Sequence, residues 1–309
     1  MGSLERARVV VTGASGFIGT HLCGFLRAER VEVATIEHAR LQHAGAVAEV
    51  LASLRPTHII HLAGISDGTG EDYARYYEAH LFNTVRLLDA ARRSSREARI
   101  LIASSSAVYG ATAPAENPLA EDRPLRPVTH YGASKVAQEM AALQYHLAHQ
   151  MWTVRVRTFN LLGPGQPPHL VVSALACQLA QAEGTGAPVT VRVGNLAPRR
   201  DYTDVRDAAR AYLLLAERGE PGAVYNVCSG RSTSVQECLD LLAGMAGASV
   251  RAEVDPALVR RVEIADQVGD PGRLTRATGW RPCIPLEQSV RDLWEEWRER
   301  VRVEKGVPA

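Results

Sequence analysis

Residues 7–12, A-R-V-V-V-T, form an apolar, β-branched run, and G-A-S-G-F-I-G follows at once over 13–19 before a helical pattern that reaches about Arg27. A buried strand, a glycine-rich turn and a helix in direct succession leave few folds open. Gly13 permits the tight turn, Gly16 lets backbone approach a pyrophosphate, and Gly19 lets the helix pack on the strand. The first N–H groups of that helix have no partner within it, so they can meet phosphates. The spacing, G-x-x-G-x-x-G, is a relative of the dinucleotide fingerprint. It assigns Gly13, Ser15, Gly16, Phe17, Ile18 and Gly19 to a cofactor.

The next strand, V-E-V-A-T-I, ends at Glu37, eighteen residues beyond Gly19. A carboxylate there accepts hydrogen bonds from ribose hydroxyls and repels a 2′-phosphate, which favours NAD(H). Its neighbours His38 and Arg40 suit a phosphate instead and keep NADP(H) open. Residues 41–57 carry one helical pattern, A-V-A-E-V-L-A-S-L, where a further strand would be usual. H-I-I-H-L over 58–62 is the next strand, and Leu62, Ala63 and Gly64 then pass close to the cofactor. His61 reads as a packed strand-end histidine. A helix is expected over 72–93, with Leu81, Val85 and Leu88 on one side. The strand R-I-L-I-A-S-S-S then ends in serines at the carboxyl edge, where open α/β sheets place ligands, although serine runs also form plain turns.

T-H-Y-G-A-S-K-V-A-Q-E, residues 129–139, supplies the chemistry. Tyr131 and Lys135 are four apart and share one face of a helix. Thr129 is a suitable N-cap, and Val136, Met140 and Leu143 give an apolar side. A free phenol has a pKa near ~10; a nearby ammonium lowers it, and the pair becomes a proton shuttle.

Alternating strands and helices to about residue 160 predict a Rossmann-type, doubly wound parallel sheet over 1–160. Residues 161–309 change character and predict a smaller α/β substrate-binding region, with the helix and strand of 203–228 returning to the first unit. A helix over about 169–182 is expected, Thr203 is placed as a helix cap, Y-N-V-C-S-G reads as another short strand, and the remainder after it reads as mostly helical with Pro/Gly breaks. Arg199 and Arg200, just before that cap, suit either a diphosphate or a solvated turn. Thirty-five basic residues nearly balance 34 acidic ones, which argues against a nucleic-acid partner. No run of 18 apolar residues occurs, so no membrane span is expected. Five scattered cysteines, none in C-x-x-C spacing, point to a reducing cytoplasm and no metal site.

Together these segments resemble the extended short-chain dehydrogenase/reductase family, the NAD-dependent epimerase/dehydratase type that acts on nucleotide sugars. The resemblance rests on G13-A-S-G-F-I-G19, H61-L-A-G64, S104-S-S-A-V-Y-G110, Y131-G-A-S-K135 and R200-D-Y-T-D-V-R-D207. It implies Ser105 as the active serine, Tyr131 as acid/base, and Lys135 as the group that holds the nicotinamide ribose and keeps the tyrosine acidic. The second half is most similar to GDP-4-keto-6-deoxy-mannose reductases. That likeness implies a GDP-sugar and assigns Ser105, Ser106, Asn160, Val172, Arg200 and Arg260 (with Arg261 adjacent) to substrate. Family members often dimerise through two long helices per subunit, which implies a homodimer built on a four-helix bundle.

Dehydratases of the family carry acidic residues just after the active serine or threonine, where this chain has Ser106 and Ala107. His80 and Asn83 stand where the family tends to have Asn and Gly. The function expected is reduction of a 4-keto-6-deoxyhexose on a nucleotide diphosphate with Tyr131 as acid/base; the alternatives are C4 epimerisation with tightly bound NAD+ and a catalytically silent dinucleotide-sensing protein.

Overall fold

The computed structural model describes residues 7–66, 72–183, 188–259 and 263–306. The first half runs β1 (Arg8–Thr12), α1 (Phe17–Ala28), β2 (Glu32–Ile36), α2 (His38–Leu41), α3 (Ala44–Leu54) and β3 (His58–His61). A helix in three pieces follows: α4 (Ala74–Tyr77), a π-helical turn over Glu78–Phe82, and α5 (Asn83–Ser94). Then come β4 (Arg99–Ser105), α6 (His130–His149) and β5 (Thr153–Thr158). The second half runs β6 (Asn160–Leu162), α7 (Val171–Ala182), β7 (Val189–Val193), β8 (Arg199–Asp204), α8 (Val205–Arg218) and β9 (Val224–Val227). It ends with β10 (Ser232–Ser234), α9 (Val235–Ala246), β11 (Val250–Val254), β12 (Asp266–Gln267), α10 (Gly272–Thr278) and α11 (Leu286–Glu304).

Six parallel strands form the main sheet in the order β2-β1-β3-β4-β5-β9. Its strands β1, β3 and β4 are apolar on both faces, as a parallel sheet covered by helices requires. Alternation divides them: Val9, Val11, Leu101 and Val154 pack on Leu22, Leu26, Ala208 and Tyr212 of α1 and α8. Val10, Ile59, Ile100 and Ile102 pack the other way, on Leu51 of α3, Leu87 of α5 and Ala142 of α6. Each such side chain, fully buried, contributes about 1.5–3 kcal/mol. Residues 38–54 hold only α2 and α3, so β2 is the sheet edge. The strand order reverses between β1 and β3. The crevice at their carboxyl ends is where the loops after Thr12 and His61 meet, which is the ligand position in such sheets.

The second half builds its own layer. A four-stranded sheet of β6, β8, β10 and β12 and a β7–β11 pair are packed with α7, α9 and α11. Leu175, Leu179, Leu239, Leu242, Leu293 and Trp297 form that core. β9 pairs in parallel with β5 in the main sheet, and α8 shares the core of β1.

Two local expectations change. Thr203 lies inside β8 and caps nothing; Asp204 caps α8, its carboxylate accepting from the Arg206 N–H at 2.8 Å. The final region is less helical than expected, because β10, β11 and β12 interrupt it. In α6 the buried face carries Ser134, Lys135, Gln138 and Glu139, whereas Met140 of the apolar side is 42% exposed. The helix turns its polar face inward because the partners of those groups lie beneath it, in β4 and β5 for Lys135 and Glu139 and in the α4–α5 helix for Ser134 and Gln138.

Candidate active site

The glycine turn is a cradle that side chains would fill. Gly13 has φ +71°, and a Cβ on it would stand 2.7 Å from the Ala63 nitrogen. A Cβ on Gly19 would stand 2.1 Å from the Gly13 carbonyl oxygen. Gly16 begins α1 with no side-chain cap, and no acidic residue occupies the first turn, so its N–H groups face outward for an anion. Ser15 and Gly16 are exposed, Phe17 and Ile18 half-buried, and Glu37, His38 and Arg40 exposed at the carboxyl end of β2. These residues fit a dinucleotide. Gly13→Val should weaken cofactor binding by at least about tenfold, because the turn must open against the Ala63 backbone. Titration of NADH or NADPH by fluorescence measures this, and unchanged affinity would remove the cradle from the site.

Ser105 ends β4, and its hydroxyl accepts from the Ala107 N–H at 3.2 Å to start the turn Ser106–Val108. Thr129 caps α6 as expected, accepting from the Gly132 N–H at 3.0 Å. Gly132 sets how near the helix comes: a Cβ there would stand 2.7 Å from the Ala107 oxygen. That close approach brings Tyr131 into hydrogen-bonding reach of Ser105. The phenol ring lies edge-on to His80 at 5.4 Å and to Tyr76 at 6.3 Å.

The electrostatics differ from the expectation for a Tyr–Lys pair. Burial pushes the Tyr131 phenol above its ordinary pKa, and the opposing influence is the Ser105 hydrogen bond rather than the lysine. Lys135 is 5% exposed and donates to the Ala103 carbonyl at 2.8 Å and to Gln138 Oε1 at 3.0 Å. Burial pushes it down to about 7, against the charge of Glu139.

A buried chain of hydrogen bonds backs the lysine. Gln138 Nε2 donates to Thr84 Oγ1 at 2.8 Å, and Thr84 donates to the His80 carbonyl at 2.6 Å. His61 Nε2 therefore donates to Thr84 at 2.9 Å, leaving Nδ1 to accept from Thr12 Oγ1 at 2.7 Å. Thr12 in turn accepts from the Ala63 N–H at 3.2 Å. His61 is thus a fully buried packing histidine, held neutral by burial at a pKa of about 3. The chain ties Lys135 to the loop of Leu62, Ala63 and Gly64.

The substrate candidates fare unevenly. Asn160 is exposed at the start of β6, just past the end of β5, and Ser106 is buried behind Ser105. The Val172 side chain is fully buried in the second core and is not on the surface of the site. Alternation along β8 sends Arg199 and Arg200 to opposite sides. Arg199 pairs with Glu237 at 2.8 Å and donates to Ser232, whereas Arg200 donates to the carbonyls of Arg199 and Ile264 at 2.7 and 2.6 Å. Arg260 and Arg261 lie outside the described residues. Sequence reasoning missed Gly132 and Gln138; the Y-G step and the glutamine three beyond the lysine carry no signal until α6 is docked.

Proton transfer at a carbinol oxygen beside a dinucleotide cradle is the work of short-chain dehydrogenases and reductases, and fold and site together define that class. Residues 9–228 match the family described as the NAD dependent epimerase/dehydratase family, and the chain belongs to it. GDP-6-deoxy-D-mannose reductase of Pseudomonas aeruginosa is 36% identical over 303 residues, covering 96% of this chain and 99% of that protein. The structure of RMD from Pseudomonas aeruginosa complexed with NADPH superposes with a TM-score of 0.88 at 34% identity, covering 95% of this chain and 99% of that one. Thermus thermophilus UDP-glucose 4-epimerase in complex with NAD gives a TM-score of 0.82 at 30% identity, covering 94% and 99%. Among the described residues no helix is long and apolar enough to cross a membrane, and no group of three metal-ligating side chains occurs.

Proposed function

We propose that this enzyme reduces a 4-keto-6-deoxyhexose carried on GDP, the sugar nucleotide lying between the main sheet and the 161–309 region. The observation that carries this is the serine loop. β4 ends at Ser105 and the turn continues through Ser106 and Ala107 without a carboxylate, and the two carboxylates behind them are committed. Glu139 is paired with Arg157 at 2.8 Å, and Glu121 accepts from the Asn226 N–H at 2.9 Å. Elimination of water needs a free acid or base there; ketone reduction needs one proton donor. The reductase of Pseudomonas aeruginosa, whose name includes GDP and a 6-deoxy sugar, supports the substrate class.

Bound nicotinamide supplies the hydride. Tyr131 gives its proton to the developing alkoxide, and the Ser105 hydroxyl holds the same oxygen. The raised phenol pKa suits this direction, because a reductase needs its tyrosine protonated at neutral pH. In this reading Lys135, set on the Ala103 carbonyl beside Gly64, holds the ribose. Asn160 and Arg200 are the groups assigned to sugar and diphosphate. Glu37 favours NAD(H), and Arg40 and His38 leave NADP(H) usable.

The test is stoichiometry with GDP-4-keto-6-deoxy-mannose. One NADH or NADPH oxidised per sugar reduced supports the proposal. No reduction of the ketone, together with interconversion of the C4 epimers of a GDP-hexose at no net cofactor loss by protein that releases near-stoichiometric NAD on denaturation, would replace it with C4 epimerisation, the reading Glu37 favours. No turnover despite NAD binding would leave a dinucleotide sensor.

We place the protein in the cytoplasm, which suits its five free cysteines. We also propose a homodimer through the outer faces of α4–α5 and α6, where Tyr73 is 51%, Phe82 50%, Met140 42% and Leu147 71% exposed. Met140→Lys with Leu147→Glu should give folded monomers on analytical ultracentrifugation. A wild-type monomer, or an unaltered dimer in the variant, would discard this interface.

A further inference from the structure

His80 departs from the asparagine that the family tends to show, and its surroundings give it a specific task. It sits in the π-helical turn Glu78–Phe82, fully buried, between the cofactor loop and the catalytic helix. π-helical turns recur at functional sites because the widened turn re-aims a side chain. Here the imidazole is aimed at two things. Nδ1 lies 2.8 Å from Ser134 Oγ in the first turns of α6, and Ser134 Oγ lies 2.8 Å from the Tyr131 carbonyl. Nε2 lies 3.0 Å from the Ile65 nitrogen and 3.1 Å from the Ile65 oxygen.

The proton count makes this a bridge in either tautomer. With the Ser134 proton on the Tyr131 carbonyl, Nδ1–H donates to Ser134 and Nε2 accepts from the Ile65 N–H. With the proton on Nε2, that nitrogen donates to the Ile65 carbonyl and Ser134 donates to Nδ1. Both nitrogens are used each time. The same ring forms the wall behind Gly64: a Cβ there would stand 2.8 Å from His80 Cδ2, 3.0 Å from Nε2 and 3.6 Å from Lys135 Nζ. Imidazole, lysine and loop backbone therefore converge on one point, with the Tyr131 ring edge-on to the imidazole. An asparagine is too short to span both ends of this bridge.

We propose that His80 is a positioning residue that sets the spacing between the Gly64–Ile65 backbone and the Tyr131–Lys135 helix, and so controls cofactor affinity through one nitrogen and proton transfer through the other. The assignment rests on the cofactor reading given above. Burial, with the charge of Lys135, pushes the imidazole down to about 2, so it stays neutral and keeps one geometry across the working pH range.

Two substitutions separate the nitrogens. An asparagine amide reaches about as far as Nδ1, and a glutamine amide about as far as Nε2. His80→Asn keeps the Ser134 end and loses Ile65. The dissociation constant for NADPH or NADH should rise about tenfold, the size of one hydrogen bond, with kcat at saturating cofactor within about twofold. His80→Gln keeps the Ile65 end and loses Ser134; kcat should fall about tenfold with cofactor affinity within about twofold. Ser134→Ala removes the same bond without touching the imidazole and should match His80→Gln, which guards against a histidine variant that fails to fold. Melting temperature and titrated active sites are followed in all three. The proposal is overturned if the histidine variants lose the same parameter or lose only folded protein, or if Ser134→Ala keeps wild-type kcat. Wild-type protein that binds neither cofactor would sink the cofactor reading instead; wild type that binds, matched by its variants, sinks this inference alone.

Discussion

Tyr131→Phe should lower turnover by about a thousandfold while leaving cofactor affinity within about twofold, the middle of the range for removing a general acid. The substitution deletes one oxygen. The ring stays, and with it the edge-on contacts to His80 and Tyr76 that seat the first turn of α6. The fold and the glycine cradle are untouched, so the loss falls on kcat. Ser105 can still hold the carbonyl oxygen but cannot replace the proton source. Direction can be read from pH. Burial raises the phenol pKa, so the protonated donor persists through neutral pH and the phenol limits reduction only as alkaline pH ionises it, whereas any change near pH 7 belongs to Lys135, which burial brings down to about 7. The reverse oxidation needs the phenolate and should rise with pH over the same interval. Single-turnover rates and cofactor titration of wild type and variant check both. Retained turnover in the phenylalanine variant would remove Tyr131 from the chemistry.

Arg157→Met should destabilise the protein by about 3–5 kcal/mol, a larger stability loss than any surface change would give. Arg157 and Glu139 are a buried pair, 4% and 0% exposed, that fastens the catalytic helix to β5. The guanidinium donates to both Glu139 oxygens at 2.8–3.2 Å, to the Glu121 carbonyl at 2.9 Å and to Tyr109 Oη at 3.2 Å. It also lies 5.0 Å over the Tyr109 ring. Burial draws the arginine pKa down, but the bonds and charge of Glu139 outweigh it and hold the pKa above its ordinary value. Methionine replaces the bulk and removes every one of those donors. Glu139 would keep the Ser104 hydroxyl at 2.6 Å but lose the charge hydrogen-bonded to it, a carboxylate in the core that Lys135 and Arg155 reach only through space. Arg157→Met with Glu139→Leu removes both charges and should restore most of the loss, since the penalty lies in the orphaned charge rather than in the absent pair. Urea unfolding of the two single variants and the double variant gives the coupling. A loss below about 1 kcal/mol for Arg157→Met would mean that water reaches Glu139.

How much could be read in advance differs by element. The glycine turn was legible because its constraint is local: positive φ at Gly13 and a helix start at Gly16 are properties of a few consecutive residues. The same holds for the Thr129 cap and for Tyr131 and Lys135 sharing one helix face. The apolar side of α6 is legible as a stripe on the helix, but not which way that stripe faces. Periodicity locates a stripe; it does not say whether a neighbouring strand or a second subunit covers it. Thr203 looked like a cap because Thr, Asp and an apolar run are cap signals, yet β8 carries the chain one residue further and Asp204 takes the role.

The sequence by itself determined the class of protein, through ordered short motifs whose chemistry is fixed within a turn or two of backbone. It also carried the absence of a carboxylate after Ser105, because that too is a matter of adjacent residues. Only the tertiary structure decided where the lysine points, why the tyrosine stays protonated, and what His80, Gln138 and Gly132 do. Those answers depend on groups that lie far apart in the chain, Lys135 against Ala103 and His80 against Ile65 and Ser134. Burial and hydrogen-bond partners, which set pKa and position, exist only after the sheet has brought them together.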